Sequence, residues 1–287
     1  MHRFFIIGSP RSGTTLFRLM LNRHENLIVP PEAGFLTWLY KNYHDSDFHK
    51  FDVVSFVKEL ILTKKINSWN LDECHLVEYL CSSRITSYAE LIDSVYRFYA
   101  EIVLDKSFTI MGDKNNFFLS EVDLINEIYP KAKFIHIVRD GRSVAVSYQD
   151  LHKKNLNSEN APKLPNDIRD IAYVWCKDIN TIRQSFEKIG NPKRLLTIRF
   201  EDLVSNPEKE LCKVCDFLGE SFDSKMLDYY QTTLEEGLEP KEFDSWKKKN
   251  QQPLQKEEIY KFKKLSKSSL TEFELVCKNE LKYFSYL

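Results

Sequence analysis

The chain has 287 residues, 43% of them hydrophobic and 29% charged, and its 41 lysines and arginines stand against 42 aspartates and glutamates. A chain of this length can bury about 75% of the surface exposed in its unfolded form, and this composition is that of an ordinary soluble globular protein rather than a disordered or membrane one. A formal net charge of −1 argues against general nucleic-acid binding and leaves only a local basic site for a small anion.

The first apolar run, "FFII" at residues 4–7, has the length of a strand. It is far too short for a secretory core or a membrane span, so a cytoplasmic location without membrane contact is expected. It leads into "GSPRSGTTLFRLML", whose apolar residues recur at helical spacing over 15–23. Gly8 and Gly13 let the backbone turn tightly and approach a ligand, and the helix beyond offers unpaired N–H groups and the positive end of its dipole. Thr14 and Thr15 add hydroxyl donors, and Arg11 adds a guanidinium suited to bidentate phosphate contacts. Because Thr14 stands where a Walker A loop has its lysine, this loop holds an anion other than a nucleoside triphosphate poised for hydrolysis.

After the first helix, "LNRHENLIVPPEAGFLTWL" places Glu32 in a loop. Burial against an apolar wall of Phe35, Leu36 and Trp38 would make it a stronger base; the alternative is a cap or an ion pair with Arg11 or Arg23. Residues 41–107 read as a mainly helical insertion, with a helix at 88–104. A strand is expected at 108–111, with Lys114 just beyond it, then a helix at 120–129 and a strand at 134–138. His136 sits among apolar neighbours in that strand and reads as core. Arg139 falls just past the strand, where ligands of open parallel sheets collect. Ser147 follows in the helix after the Asp140-Gly141 turn. The alternatives are a salt bridge from Arg139 to an acid and a solvent-facing Ser147.

A polar loop at 152–167 precedes a helix at 168–189, in which Trp175 reads as core packing. A strand at 195–200 and a helix at 207–218 follow, the latter capped by Asn206, opened by Pro207 and ended by Gly219. The six cysteines are scattered and read as reduced, small apolar residues, the Cys212 and Cys215 pair included. A polar loop at 236–258 carries Ser245 and Lys247 to Lys249 and begins a C-terminal loop and helix region over 236–287. Strands alternating with helices predict an α/β fold over a single domain, 1–287, with a central parallel sheet covered on both faces.

Three segments, "PRSGTT" at 10–15, "KFIHIVRDGRSVAVSY" at 133–148 and "IRFEDLVSNPEKELCKVCDFLG" at 198–219, together resemble the sulfotransferases that use 3'-phosphoadenosine 5'-phosphosulfate (PAPS). The resemblance implies a three-layer P-loop-like fold, PAPS as sulfuryl donor, 3',5'-diphosphoadenosine (PAP) as product, and no metal. It implies that Arg11, Ser12, Gly13, Thr14 and Thr15 hold the 5'-phosphosulfate and that Arg139 and Ser147 hold the 3'-phosphate. Lys114 resembles the family lysine at the oxygen bridging sulfate and phosphate. Glu32, counted from Pro10, resembles the catalytic glutamate of protein-tyrosine sulfotransferases. Ser245 and Lys247 are similar to C-terminal positions that close over the 3'-phosphate.

The chain departs from the family pattern at Phe200, where tyrosine is frequent, and at Leu151, where the tyrosine-modifying members carry an arginine. No membrane anchor is expected before the domain, unlike Golgi members, so the acceptor need not be protein tyrosine and is expected to be a small molecule, carbohydrate or peptide bearing a hydroxyl. The implied chemistry is in-line attack by a hydroxyl that Glu32 deprotonates, while Arg11 and Lys114 stabilise the departing phosphate. A P-loop kinase or other phosphotransferase and a non-catalytic nucleotide-binding module are the rival readings.

Overall fold

The computed structural model describes residues 2–154, 162–231 and 252–287. Five parallel strands form one sheet in the order β2-β3-β1-β4-β5, with β1 His2–Ile7, β2 Leu27–Ile28, β3 Ile110–Lys114, β4 Lys133–Val138 and β5 Leu195–Arg199. Phe4 through Ile7 are fully buried, as a central strand covered on both faces requires. Alternate residues supply separate cores: Phe5 and Ile7 join one with Met111 and Phe134, while Phe4 and Ile6 join another with Ile110 and Ile135.

Helices cover both faces. In chain order they are α1 Thr14–Asn22, α2 Phe35–Trp38, α3 Tyr40–Tyr43, α4 Val53–Ile61, α5 Glu73–Ser82, α6 Tyr88–Phe98, α7 Val122–Ile128, α8 Gly141–His152, α9 Ile168–Ile189, α10 Phe200–Ser205, α11 Pro207–Leu218 and α12 Lys267–Tyr283. Between β2 and β3 the chain is helical, and α6 passes into a π turn at Tyr99–Val103, where the sequence pattern had predicted one continuous helix. A third core of Val138, Val144, Trp175, Phe273 and Cys277 binds β4, α8, α9 and α12 together. Among the described residues no helix is long and apolar enough to cross a membrane.

The third strand begins and ends later than its apolar residues predict, at Ile110–Lys114 instead of 108–111. Its polar end is stabilised by the ladder to β1, in which Phe5 pairs with Asp113 and Ile6 with Lys114. Gly112 lies flat against the Phe4 ring, where a Cβ would come within 2.3 Å. Helix α11 has the predicted bounds, and Gly219 ends it with φ 92. Asn206 occupies the N-cap position but makes no side-chain capping bond. Instead, its carbonyl accepts the Glu210 N–H at 3.1 Å.

Candidate active site

The chain leaves β1 at Ile7 and turns through residues 8–13 into α1. Arg11 (φ 67) and Gly13 (φ 94) are both left-handed, a conformation that strains an arginine and suits a glycine. Packing also excludes side chains here. A Cβ at Gly8 would lie 2.5 Å from the Ile137 carbonyl oxygen, and one at Gly13 would lie 2.4 Å from the Phe200 ring. With the loop pressed against β4 and α10, the first turn of α1 carries no acidic residue and presents its unpaired N–H groups outward. Thr14 Oγ1 donates to Asn116 Oδ1 at 3.4 Å.

A second cradle forms where β4 runs into α8. Asp140 caps that helix through the Arg142 N–H and pairs with the Arg142 guanidinium at 2.9 Å, leaving the neighbouring Arg139 to turn toward the loop. Arg139 Nη1 donates to the Arg11 carbonyl at 3.2 Å, and its guanidinium carbon lies 4.3 Å from the Phe200 ring centre. Arg11 Nε donates to Ser147 Oγ at 3.1 Å, so the loop and α8 meet through the residues the sequence singled out. Ser147 is buried, not solvent-facing. Burial first, and then the Arg139 charge, push Arg11 below its usual pKa, with Glu258 opposing.

Two residues here carried no recognisable sequence signal. Glu258 accepts from Arg139 Nη2 at 3.1 Å, and Lys261 pairs with Asp150 at 3.1 Å while approaching Glu258 at 3.9 Å. Both lie on short 3-10 turns, Lys256–Glu258 and Lys261–Lys264, docked on α8 where the Phe262 N–H donates to Ser143 Oγ. The alternative reading of Arg139, a salt bridge to an acid, is present in this structure, and the partner lies 119 residues away.

Glu32 is buried in the loop before α2, its Oε1 accepting from Lys114 Nζ and its Oε2 from Lys65 Nζ at 2.5 Å. Lys65 reaches in from the helical insertion with a left-handed φ of 71. The expected wall around Glu32 is corrected in part. Phe35 and Leu36 are fully buried in the insertion core, Phe35 packing edge-on to Trp69 at 5.2 Å. Only Trp38 faces the site, stacked on Phe117 at 5.0 Å.

These groups surround one cavity of about 920 Å³, with Arg11, Gly13, Thr14, Thr15, Glu32, Arg139 and Ser147 on its wall, and Trp38, Phe117, Lys64 and Lys65 on another part of it. Its size suits a nucleotide and a second molecule. Ser12 and Lys114 are both 1% exposed and lie behind the wall. Leu151 lines the cavity, with the Lys261 ammonium held nearby on Asp150. Ser245 and Lys247 fall outside the described residues. Arg139 Nε is buried and has no hydrogen-bond partner among the described residues. That orphaned donor, the glycine cradle and the half-buried Arg11 guanidinium beside the buried Arg139 fit a ligand carrying separated phosphates. His136 is buried in β4, its Nε2 without a hydrogen-bond partner among the described residues, and Trp175 packs at 6.0 Å against Phe273; neither is among the residues on the cavity wall.

Residues 3–224 match the sequence model of the sulfotransferase family. The chain belongs to that family. Protein-tyrosine sulfotransferase A of Caenorhabditis elegans is 26% identical over 230 residues, which is 79% of this chain and 52% of that protein. This chain therefore spans about half the length of that relative. A putative protein-tyrosine sulfotransferase of Caenorhabditis briggsae is 24% identical over 86% of this chain and 76% of its own length. Among solved structures, the sulfotransferase domain of the Synechococcus PCC 7002 olefin synthase superposes with a TM-score of 0.63 at 22% identity, covering 96% of this chain and 94% of that domain. The sulfotransferase domain of the curacin biosynthetic pathway gives 0.61 at 24% identity, covering 97% of each chain. The sulfotransferase fold thus holds along nearly the whole chain.

Proposed function

We propose that this sulfotransferase-family chain moves a sulfuryl group from PAPS to a hydroxyl of an acceptor by in-line attack. The observation that carries the reading is the convergence on one cavity of two basic anion cradles, joined through Arg11 and Ser147, and a buried carboxylate, Glu32. Bound PAPS supplies the sulfuryl group and a phosphate leaving group. The residues suited to hold it are the 8–15 loop at the 5' end and Arg139 with Ser147 at the 3'-phosphate; Ser245 and Lys247 are assigned to the same end by resemblance alone.

The chain's own groups account for the remaining steps. Glu32 takes the acceptor proton on a carboxylate oxygen, which requires Lys65 or Lys114 to release it. Lys114, freed from the protonated Glu32, and Arg11 counter the charge that develops on the leaving phosphate. Trp38 and Phe117 offer an apolar surface for the acceptor, and Lys64 and Lys65 surround it with positive charge. The acceptor is a hydroxyl-bearing small molecule, carbohydrate or peptide, and the cytoplasm is the proposed location.

Calorimetry with PAP and, separately, with ATP and magnesium tests the donor. Tight binding of PAP and weak binding of ATP are expected; the reverse order would return the site to the phosphotransferases. Sulfate transfer from labelled PAPS to a panel of hydroxyl acceptors then separates an enzyme from a binding module.

A further inference from the structure

Behind the cavity wall, Asp113 and Asn115 project from the same side of β3 and its extension, opposite to Lys114. Both are 1% exposed. The Asn115 amide nitrogen has two donors, and both are used: one goes to the Ala33 carbonyl at 3.2 Å and the other to Asp113 Oδ1 at 2.9 Å. Asp113 Oδ2 accepts from the Tyr96 hydroxyl on α6. Tyr96 lies under the Arg3 guanidinium, 4.1 Å from the ring centre, and Arg3 Nε donates to Asp93 at 2.9 Å. Ala33 is the residue after Glu32, and Asn115 is the residue after Lys114. The amide therefore crosses between the two backbones that carry the ion pair, and the Asp113 carboxylate orients it.

We propose that Asn115 and Asp113 are positioning residues for sulfotransfer: Asn115 ties the Glu32 loop to the end of β3, and Asp113 fixes the direction in which the amide points. The loop is also held by the Trp69 Nε1 bond to the Pro31 carbonyl at 2.9 Å, but what acts directly between Glu32 and Lys114 is their opposite charges. These weaken when Glu32 takes a proton, so the backbone link keeps the two in register through the reaction. The tether is also linked to protons. Burial pushes Asp113 up to about 7, opposed by the Tyr96 hydroxyl bond, the Arg3 charge and the Lys114 N–H, and reinforced by the Glu32 charge. Tyr129 and Asp93 face the same network from behind Arg3, with the Tyr129 hydroxyl 2.9 Å from Asp93.

The inference rests on the sulfotransfer reading, and its test separates the two. Asn115→Ala is expected to lower kcat about a hundredfold, the scale of a misplacement of about 1 Å at a reacting centre. KM for PAPS and affinity for PAP should stay within twofold, and a crystal structure of the variant should show the Ala33 carbonyl moved away from β3. Asp113→Asn keeps an oxygen for the Asn115 amide. It should retain most of kcat, whereas Asp113→Leu, which removes the oxygen that accepts from Asn115, should lower kcat as Asn115→Ala does. A kcat for Asn115→Ala within twofold of the parent, an unmoved Glu32 loop, or a kcat for Asp113→Leu equal to the parent's would each overturn the proposal. If the parent chain transfers no sulfate, the functional reading fails, and the position of the loop in the variant crystal still decides the tether. Should Asn115→Ala not fold, Asn115→Ser is read by the same criteria.

Discussion

Glu258 meets Arg139 twice, its backbone carbonyl 2.7 Å and its carboxylate 3.1 Å from the same guanidinium nitrogen. A 3'-phosphate on Arg139 would bring negative charge against that carboxylate, so the two compete. Glu258→Gln should tighten PAP binding by about tenfold, in keeping with the roughly 1.5 kcal/mol of a hydrogen bond to a charged group. Calorimetry reads this directly. Weaker binding in the variant would mean that Glu258 supports the nucleotide instead of competing with it.

Glu32→Gln preserves shape and can still accept from one lysine, but it cannot take a proton from an acceptor. Turnover should fall by about 10²- to 10⁴-fold, the range for loss of a general base, while PAP affinity changes little. Steady-state sulfation and a parallel binding isotherm give both numbers. Turnover equal to the parent's would remove Glu32 from the mechanism.

Two glycines with nearly equal backbone angles should respond differently to alanine. Gly13 has φ 94 and no room beside the Phe200 ring, whereas Gly219 has φ 92 and nothing within 4 Å. Gly219→Ala bears the backbone term alone, about 1 kcal/mol. Gly13→Ala adds a steric clash and should be worse by a further 1–3 kcal/mol or so, with loss of PAP binding. Urea melts of both variants provide the comparison, and equal midpoints would contradict the packing argument.

His136 gives a pH signature of stability. Burial lowers its pKa from the ordinary 6.5 to about 4. Between those values the unfolded chain holds a proton that the folded chain does not. The contribution of neutral His136 is therefore complete above about pH 6.5 and is lost as pH falls toward 4, by at most about 1.4 kcal/mol per pH unit. In His136→Leu this slope should disappear, so the variant gains on the parent as the solution is acidified. Unfolding titrations at pH 7 and pH 4.5 test the sign, and parallel curves would refute it.

Much of the fold was legible because β1 and β4 carry apolar residues on both faces, and because β5, though an edge strand with Thr197 exposed, is a short apolar run between well-punctuated helices. Strand β3 was displaced because Gly112, Asp113 and Lys114 have no strand character of their own, and β2, at two residues, leaves no periodicity to read. The loop glycines, Arg139 and Ser147 could be found because local geometry dictates those residue types. Lys65 and Glu258 could not: each is an ordinary charged residue brought to the cavity by long-range packing, its partner Glu32 or Arg139 lying 33 or 119 residues earlier in the chain. The wall around Glu32 was misjudged for a related reason, since apolar residues near a carboxylate in sequence are as free to face the insertion core as the site.

The Phe200 ring abuts Gly13 and also carries the Arg139 guanidinium over its face. A single phenyl group is thus a common partition between the sites assigned to opposite ends of the donor. Energetic changes at positions 13 and 139 should then fail to add, with an interaction of about 0.5–3 kcal/mol in a double-mutant cycle. Phe200→Tyr, which sets a phenol in this partition, would retune both ends of the proposed nucleotide site at once.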